Sequence, residues 1–173
     1  MTSTAVSAVF DNCIINAFGG LITWPTLAAA SSKAWCALLT QTGQAAVNKA
    51  TWASYGGGIG TGISNEVANG SGYTTGGYRT GTTAVALSGA SPNVAVFGPA
   101  APANNISTWT GATFTPYTAL FHYGTTQTGS SNPLCSYHDI TNAGANVPAV
   151  SNGTLTLTWS TNGIYTITIS AAA

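Results

Sequence analysis

Hydrophobic residues near the N-terminus recur at helical spacing. In residues 4–18, TAVSAVFDNCIINAF, the apolar side chains follow intervals of three and four, with Phe10 and Ile14 at the centre of the stripe. Asp11 and Asn12 fall off it. The pattern predicts an amphipathic helix over residues 4–18 whose apolar side, including Phe10 and Ile14, faces the core.

The period of the apolar residues changes to two after this helix. Short apolar runs are separated by clusters of Gly, Pro, Asn and Ser, which favour turns. The runs predicted to be strands are residues 34–40, 82–88, 93–97, 117–123 and 134–139. Short strands at such spacing are typical of all-β domains. The sequence therefore predicts one mainly β domain over residues 1–173, an antiparallel sandwich or jelly-roll-like fold with long Gly-rich loops.

The C-terminal stretch TLTLTWSTNGIYTITIS, residues 154–170, predicts a β-hairpin. A three-residue turn at 161–163 would align the large side chains of both strands on one face, where burial of each contributes about 1.5–3 kcal/mol. Threonines dominate the opposite face, which is either an uncharged scaffold surface or an ordinary solvent-facing surface. The residues that this register assigns to the core are Leu155, Leu157, Trp159, Tyr165, Ile167 and Ile169.

A glycine-rich segment interrupts the strands at residues 56–81 and contains ten glycines. A loop this long with few apolar side chains is uncommon inside a compact domain. We expect it to be either mobile or ordered by contacts outside its own core. Because Arg and Tyr are enriched at interfaces, Tyr73, Tyr78 and Arg79, together with Glu66, form a hypothetical subunit interface. A solvated loop charge is the alternative for Arg79.

Charge is scarce in this chain. Only 3% of residues are charged and the formal net charge is zero, against about 25% charged residues in ordinary soluble domains. Binding of nucleic acid needs several Lys or Arg on one face, so we expect no nucleic-acid partner. No apolar run reaches the length of a membrane span, so we expect no membrane association. A neutral surface promotes self-association.

The ionisable residues suggest no strong metal site. Cys135, His138 and Asp139 give the spacing C-x-x-H-D, and Cys13, Cys36 or His122 would have to complete a zinc site. On a strand, Cys135 and His138 point to opposite faces, which also weakens a Cys-His nucleophile pair. The three cysteines are widely spaced and are expected to be buried thiols.

A pair of carboxylates for glycoside cleavage would have to be Glu66 and Asp139, because Asp11 lies on the predicted helix. The segment GGGIGTG lacks the Lys of a phosphate-binding loop. We therefore expect no cofactor and no enzymatic activity, and a cell-wall hydrolase is only a third hypothesis.

Several stretches together resemble a group of tailed-bacteriophage virion proteins. FDNCIINAFGG followed by AWCALLT is similar to their opening, in which an amphipathic helix and Phe-Gly-Gly precede an apolar strand. NEVANGSGY, with Glu66 and Tyr73, resembles their Glu-Val-x-Gly-x-Gly-Tyr segment, and YTALFHY with NPLCSY resembles their paired central strands. NGTLTLTWSTNGIYTITI is similar to the closing hairpin of many phage head and tail proteins.

The resemblance implies a minor structural protein of the virion, made in the host bacterial cytoplasm. Our first hypothesis is a capsid decoration, or cement, protein that binds the major capsid protein as a homotrimer on the capsid surface. The alternative is a tail, baseplate or fibre-tip protein that recognises a host surface glycan. In that case Trp24, Trp52 and Trp109 would stack on sugars, unless they pack in the core.

Overall fold

The computed structural model describes residues 7–18, 34–55, 65–79, 83–88, 91–99, 106–123, 132–141, 147–159 and 165–168. Two helices lie in these ranges, α1 (Asp11–Phe18) and α2 (Gln41–Ala46). The strands there are β1 (Ala8–Val9), β2 (Ala34–Leu39), β3 (Tyr78–Arg79), β4 (Thr83–Ser88), β5 (Ser91–Pro99), β6 (Ile106–Phe114), β7 (Thr118–Tyr123), β8 (Leu134–Asp139), β9 (Val150–Thr158) and β10 (Tyr165–Thr168).

The strands form antiparallel sheets, which confirms the prediction of a mainly β chain. A central sheet has the order β1-β8-β7-β2-β3. A second sheet has the order β10-β5-β4, and β6 pairs with β9. Each pairing between these strands is antiparallel. Within the described ranges helices are few and short.

The central sheet has apolar contacts on both faces. Phe121 and His122 are neighbours in β7 and therefore point to opposite faces. On the Phe121 side, its ring centroid lies 4.8 Å from that of Trp159, which follows β9. On the His122 side, its ring stacks on Tyr55 at 4.3 Å. The strands in the middle of this sheet are apolar along most of their length because they are covered on both sides.

The ribbon of β6 and β9 packs on the Phe121 face. Trp109 of β6 contacts Tyr78 of β3 edge to face, with the centroids 5.7 Å apart. The indole N–H of Trp159 donates to the hydroxyl of Ser107 over 3.2 Å. Two antiparallel layers that meet in this way are consistent with a β-sandwich.

Helix α1 is shorter than predicted. The prediction placed residues 4–18 in one helix, but Ala8 and Val9 form β1 and pair with Tyr137 and Ser136 of β8. The helical prediction is therefore wrong for residues 7–10, which precede α1, and residues 4–6 lie outside the described ranges. An apolar Val9-Phe10 pair fits a helical stripe and a buried strand end equally well. Pairing with β8, more than 100 residues away, decides between them.

The predicted hairpin of residues 154–170 is wrong in its pairing. In the described residues β9 pairs with β6, where Leu155 lies opposite Trp109 and Leu157 opposite Ser107. Strand β10 pairs instead with β5, where Ile167 lies opposite Ala95. Alternation specifies which face of a strand is apolar, but it does not specify the neighbouring strand. Strand β6 was not predicted, because Gly111, which adopts a positive φ of 62°, and the threonines interrupt its alternation.

The alternation along β9 is the predicted one. Leu155 is buried and Leu157 half-buried, whereas Thr154, Thr156 and Thr158 are exposed. The three exposed threonines, here called the threonine row, form an uncharged strip on the outer side of the ribbon.

The residues assigned to the core differ in burial. Phe10 and Leu155 are buried, and Ile14 and Trp159 are half-buried. Tyr165 and Ile167 lie in β10, but their side chains, and Ile169 as a whole, are outside the described part. None of the described helices has the length and apolar character that crossing a bilayer requires.

The two sides of β9 are expected to respond differently to substitution. Leu155→Ala removes buried apolar volume and should lower the free energy of unfolding by about 2–5 kcal/mol. Thr156→Val keeps the branched shape at an exposed site and should change it by no more than about 0.5 kcal/mol. Urea denaturation of both variants measures the difference. Equal losses in the two variants would contradict the assignment of the faces.

Candidate functional site

The four residues of the hypothetical interface separate into an inner and an outer group. Glu66 is half-buried and Tyr73 is only 2% exposed. Tyr78, in contrast, is 39% exposed. Arg79 pairs through its backbone with Trp35 of β2, and its side chain lies outside the described part of the structure. Tyr73 therefore packs within the fold and does not present its side chain to a partner.

The inner group is organised around the carboxylate of Glu66. Glu66 lies opposite Leu39 in a β-bridge, which holds its backbone against the edge of β2. The hydroxyl of Tyr55 donates to Oε2 over 2.5 Å. The hydroxyl of Tyr73 and the backbone N–H of Gly76 both donate to Oε1, the latter over 2.7 Å. We call these residues the Glu66 network.

Tyr73 connects this network to the central sheet. Its hydroxyl accepts a hydrogen bond from the backbone N–H of Leu38 over 3.0 Å while it donates to Glu66. Its ring packs edge to face on Phe114 of β6, with the centroids 5.7 Å apart. One side chain therefore contacts β2, β6 and the glycine-rich segment at once.

His122 extends the network on the same side of the sheet. Its Nε2 lies 3.0 Å from the carbonyl oxygen of Gly76, which can only accept, so Nε2 carries the proton. Its Nδ1 lies 3.4 Å from the amide nitrogen of Asn132. Gly76 thus donates its N–H to Glu66 and accepts from His122, and both hydrogen bonds hold the same peptide segment.

Burial shifts the pKa of both ionisable groups. Burial raises the pKa of Glu66, although the hydrogen bonds from Tyr55, Tyr73 and Gly76 favour the ionised form and oppose this effect. Burial lowers the pKa of His122 to about 4, so that its imidazole is neutral at pH 7. Burial likewise raises the pKa of the Cys36 thiol well above its usual range, which keeps it protonated.

These contacts concern residues 65–79, the described part of the glycine-rich segment, whereas residues 56–64 and 80–81 lie outside the described ranges. Residues 65–79 contact the protein's own fold through Glu66, Tyr73 and Gly76. Gly77 shows how tightly the segment packs, because it has a positive φ of 83° and an added Cβ would lie 1.8 Å from the carbonyl oxygen of Cys36. The sequence signal that was missed is the pair of tyrosines flanking the chain's only glutamate.

The outer group forms a shallow depression on the surface. It encloses about 230 Å³ and lies where β3 and the turn before it meet β6. We call it the Tyr78 depression. Its lining residues are Gly72, Thr74, Gly77, Tyr78, Thr108, Trp109 and Thr110.

The candidate zinc ligands do not converge. Cys135 donates to the carbonyl of Pro133 over 3.8 Å, whereas the Nε2 of His138 lies 3.1 Å from the hydroxyl of Ser136. Residues 136 and 138 share one face of β8, and Cys135 lies on the other. No group of three or more His, Cys, Asp or Glu side chains in the described ranges is arranged to hold a metal ion. The three cysteines, all within these ranges, are buried thiols.

The candidate carboxylate pair is widely separated. Glu66 lies opposite Leu39, Leu39 opposite Thr118, and Thr118 opposite Asp139. Three strand spacings put the two backbones about 14 Å apart. Asp139 Oδ1 accepts from the Gln44 amide and from the backbone N–H and hydroxyl of Thr141. The two carboxylates therefore have separate partners and do not form a glycosidase pair.

The tryptophans proposed to stack on sugars are mainly packing residues. Trp52 and Trp109 are both 4% exposed, and Trp24 lies outside the described residues. Trp109 is nevertheless one of the residues that line the Tyr78 depression, and its ring packs against the exposed ring of Tyr78.

Comparisons with known proteins assign no relative. The chain matches no family model, no curated protein and no solved structure at a significant level.

Tyr73 should be the most sensitive hydroxyl of the Glu66 network. Tyr73→Phe leaves the buried Leu38 N–H without its acceptor and removes one donor from Glu66. We expect a loss of about 1–3 kcal/mol in the free energy of unfolding, measured by urea denaturation. Tyr117→Phe is the matched control, because Tyr117 is half-buried elsewhere on the sheet. An equal loss in both variants would show that the network contributes nothing specific.

Acid should destabilise the protein through His122. Because its pKa is about 4 in the folded state and 6.5 in the unfolded state, the stability it contributes is present above pH 6.5 and is lost as the pH falls towards 4. That pKa difference corresponds to about 3 kcal/mol. His122→Gln should therefore reduce the loss of stability between pH 7 and pH 4, measured by urea denaturation at several pH values.

Glu66 should act with the opposite sign. Its raised pKa contributes stability that is present below pH 4.5 and is lost as the pH rises through the folded pKa. Glu66→Gln should therefore steepen the loss on acidification, whereas His122→Gln should flatten it. Parallel pH profiles for the wild type and both variants would contradict the assigned protonation states.

Proposed function

We propose that this protein is a structural component of a tailed-bacteriophage virion, a capsid decoration protein that binds the major capsid protein and stabilises the shell. In this proposal the chain is a jelly-roll-like sandwich, assembles as a homotrimer on the capsid surface and performs no chemistry. The resemblance of its sequence segments to phage virion proteins motivates the assignment.

The observation that carries the proposal is the exposed, uncharged threonine row. Thr154, Thr156 and Thr158 face outward from a nine-residue strand that has no charged residue. A partner that covers this row desolvates hydroxyl and methyl groups, which costs far less than desolvating charges. In the described part of the chain β6 and β9 pair only with each other, so the ribbon also offers backbone groups at its edges.

The use of the acidic residues supports a binding role rather than a catalytic one. The chain contains three acidic residues. Asp11 pairs with Lys49 at 3.1 Å, Glu66 accepts from two tyrosines, and Asp139 accepts from Gln44 and Thr141. Glu66 and Asp139 thus contribute to holding the fold, whereas the pair of Asp11 and Lys49 lies at the surface.

Imaging of virions with and without this protein tests the proposal directly. A decoration protein occupies many symmetry-related positions on the head, and its absence should lower the temperature at which the shell releases its DNA. A few copies confined to the tail tip would contradict the proposal.

Binding to the shell should depend little on salt. Purified protein is added to virions that lack it, and the bound fraction is measured by co-sedimentation at about 0.1 M and about 1 M NaCl, between which the Debye length falls from about 10 to about 3 Å. Because few ion pairs are available for screening, we expect similar affinities. A loss of binding at high salt would argue for a charged interface instead.

Substitution within the threonine row locates the contact. Thr156→Lys would place an unpaired cation in the interface and should weaken binding at least about tenfold. Thr51→Lys adds the same charge at an exposed turn elsewhere and should leave binding unchanged. Equal binding by both variants, each with a wild-type melting temperature, would exclude the threonine row as the contact surface.

A further inference from the structure

The Tyr78 depression is a preformed site whose floor is made by glycines. Gly72 has a positive φ of 83°, and an added Cβ there would lie 2.5 Å from the carbonyl oxygen of Thr110. The backbone N–H of Thr113 donates to the carbonyl of Ser71 over 3.0 Å and ties this turn to β6. Gly72 and Gly77 thus allow the turn before β3 to pack directly on the backbone of β6 and β2 at the edge of the depression.

The wall of the depression contains an aromatic ring held in a defined orientation. Tyr78 is exposed, but its ring packs edge to face on the buried Trp109, which limits its movement. An aromatic face carries a partial negative charge, and it attracts the weakly positive C–H groups on the apolar face of a sugar ring. A ring that is already oriented loses little entropy on binding.

The remaining lining residues supply neutral hydrogen-bonding groups. Thr74 and Thr110 are exposed and Thr108 is half-buried, and each hydroxyl can both donate and accept. The seven lining residues in the described part of the chain carry no charge, and among them no group is specific to a phosphate, a carboxylate or a metal ion. Its volume of about 230 Å³ is below the ~300–1,000 Å³ of pockets for drug-sized ligands. One sugar ring fits these properties.

We propose that the Tyr78 depression binds one ring of a neutral saccharide, with Tyr78 stacking on the ring and the hydroxyls of Thr74, Thr108 and Thr110 bonding to its hydroxyls. This site borders the threonine row on β9, because Thr108 and Thr110 lie opposite Thr156 and Thr154 in the β6–β9 register. The inference does not depend on the proposed attachment to a capsid, and it holds whether the protein lies on the head or the tail of a virion.

Saturation-transfer NMR on the full chain tests the proposal. The probes are the methyl glycosides of glucose, galactose, mannose and N-acetylglucosamine, with glucuronic acid as the charged comparison. We expect saturation transfer to at least one neutral sugar, with a dissociation constant on the order of 1 mM. Saturation transfer to none of the neutral sugars, or to glucuronic acid only, would overturn the proposal.

Variants link the binding to the depression. Tyr78→Ala should weaken binding of the neutral sugar at least about tenfold, whereas Tyr78→Phe, which keeps the ring, should retain most of it. If Tyr78→Ala lowers the melting temperature, Thr110→Val replaces it as the test of the site. This variant removes one exposed hydroxyl and keeps the side-chain shape, and it should weaken sugar binding several-fold.

Ile15→Ala is the control, because Ile15 is exposed on α1, which contacts β8 far from β3 in the order of the sheet. It should bind like the wild type. Unchanged binding in both Tyr78→Ala and Thr110→Val would place the sugar elsewhere and overturn the assignment.

Discussion

The carboxylate of Glu66 accepts hydrogen bonds from Tyr55, Tyr73 and the backbone of Gly76, and the position of the glycine-rich segment depends on it. A buried carboxylate is costly unless its oxygens are satisfied. Here the donors are Tyr55, Tyr73 and Gly76. Their hydrogen bonds to Glu66 bring these three positions of the chain together. Because each donor depends on the others for its location, the contacts are expected to be cooperative. His122 closes the arrangement from β7 by donating to Gly76.

The surface features follow from this interior arrangement. The Glu66 network holds Gly76, the next residue Gly77 packs directly on the backbone of β2, and Tyr78 then enters β3 with its ring against Trp109. The position of the Tyr78 depression therefore depends on interior contacts, although Tyr78, Thr74 and Thr110 in its lining are exposed. The network and the depression are therefore connected. Glu66 and His122 hold the backbone in place through hydrogen bonds, and the exposed residues of the depression are uncharged. Such a division is compatible with the proposed interactions, which rely on shape and hydroxyl groups rather than on charge.

Several features were predictable from the sequence because they depend on local pattern. Alternation located β2, β4, β5, β7, β8 and β9 within a few residues, and it identified Leu155 as inward and Thr156 as outward. The scarcity of charge likewise predicted a neutral surface. Strand β6 was missed because Gly111 and its threonines weaken the alternation, and β1 was missed because Val9 and Phe10 also fit a helical stripe.

The sequence by itself determined the mainly β character, the inward and outward faces of β9 and the lack of charge, since each is a property of neighbouring residues or of composition. Only the tertiary structure decided that β9 pairs with β6 and β10 with β5. Strands with similar alternation can pair in several orders, and contacts with the rest of the chain select one of them. It also decided that Glu66 and Tyr73 lie inside the fold while Tyr78 remains at the surface. The physical reason is that a half-buried carboxyl group requires donors brought from several parts of the chain, and no local pattern specifies which parts will supply them.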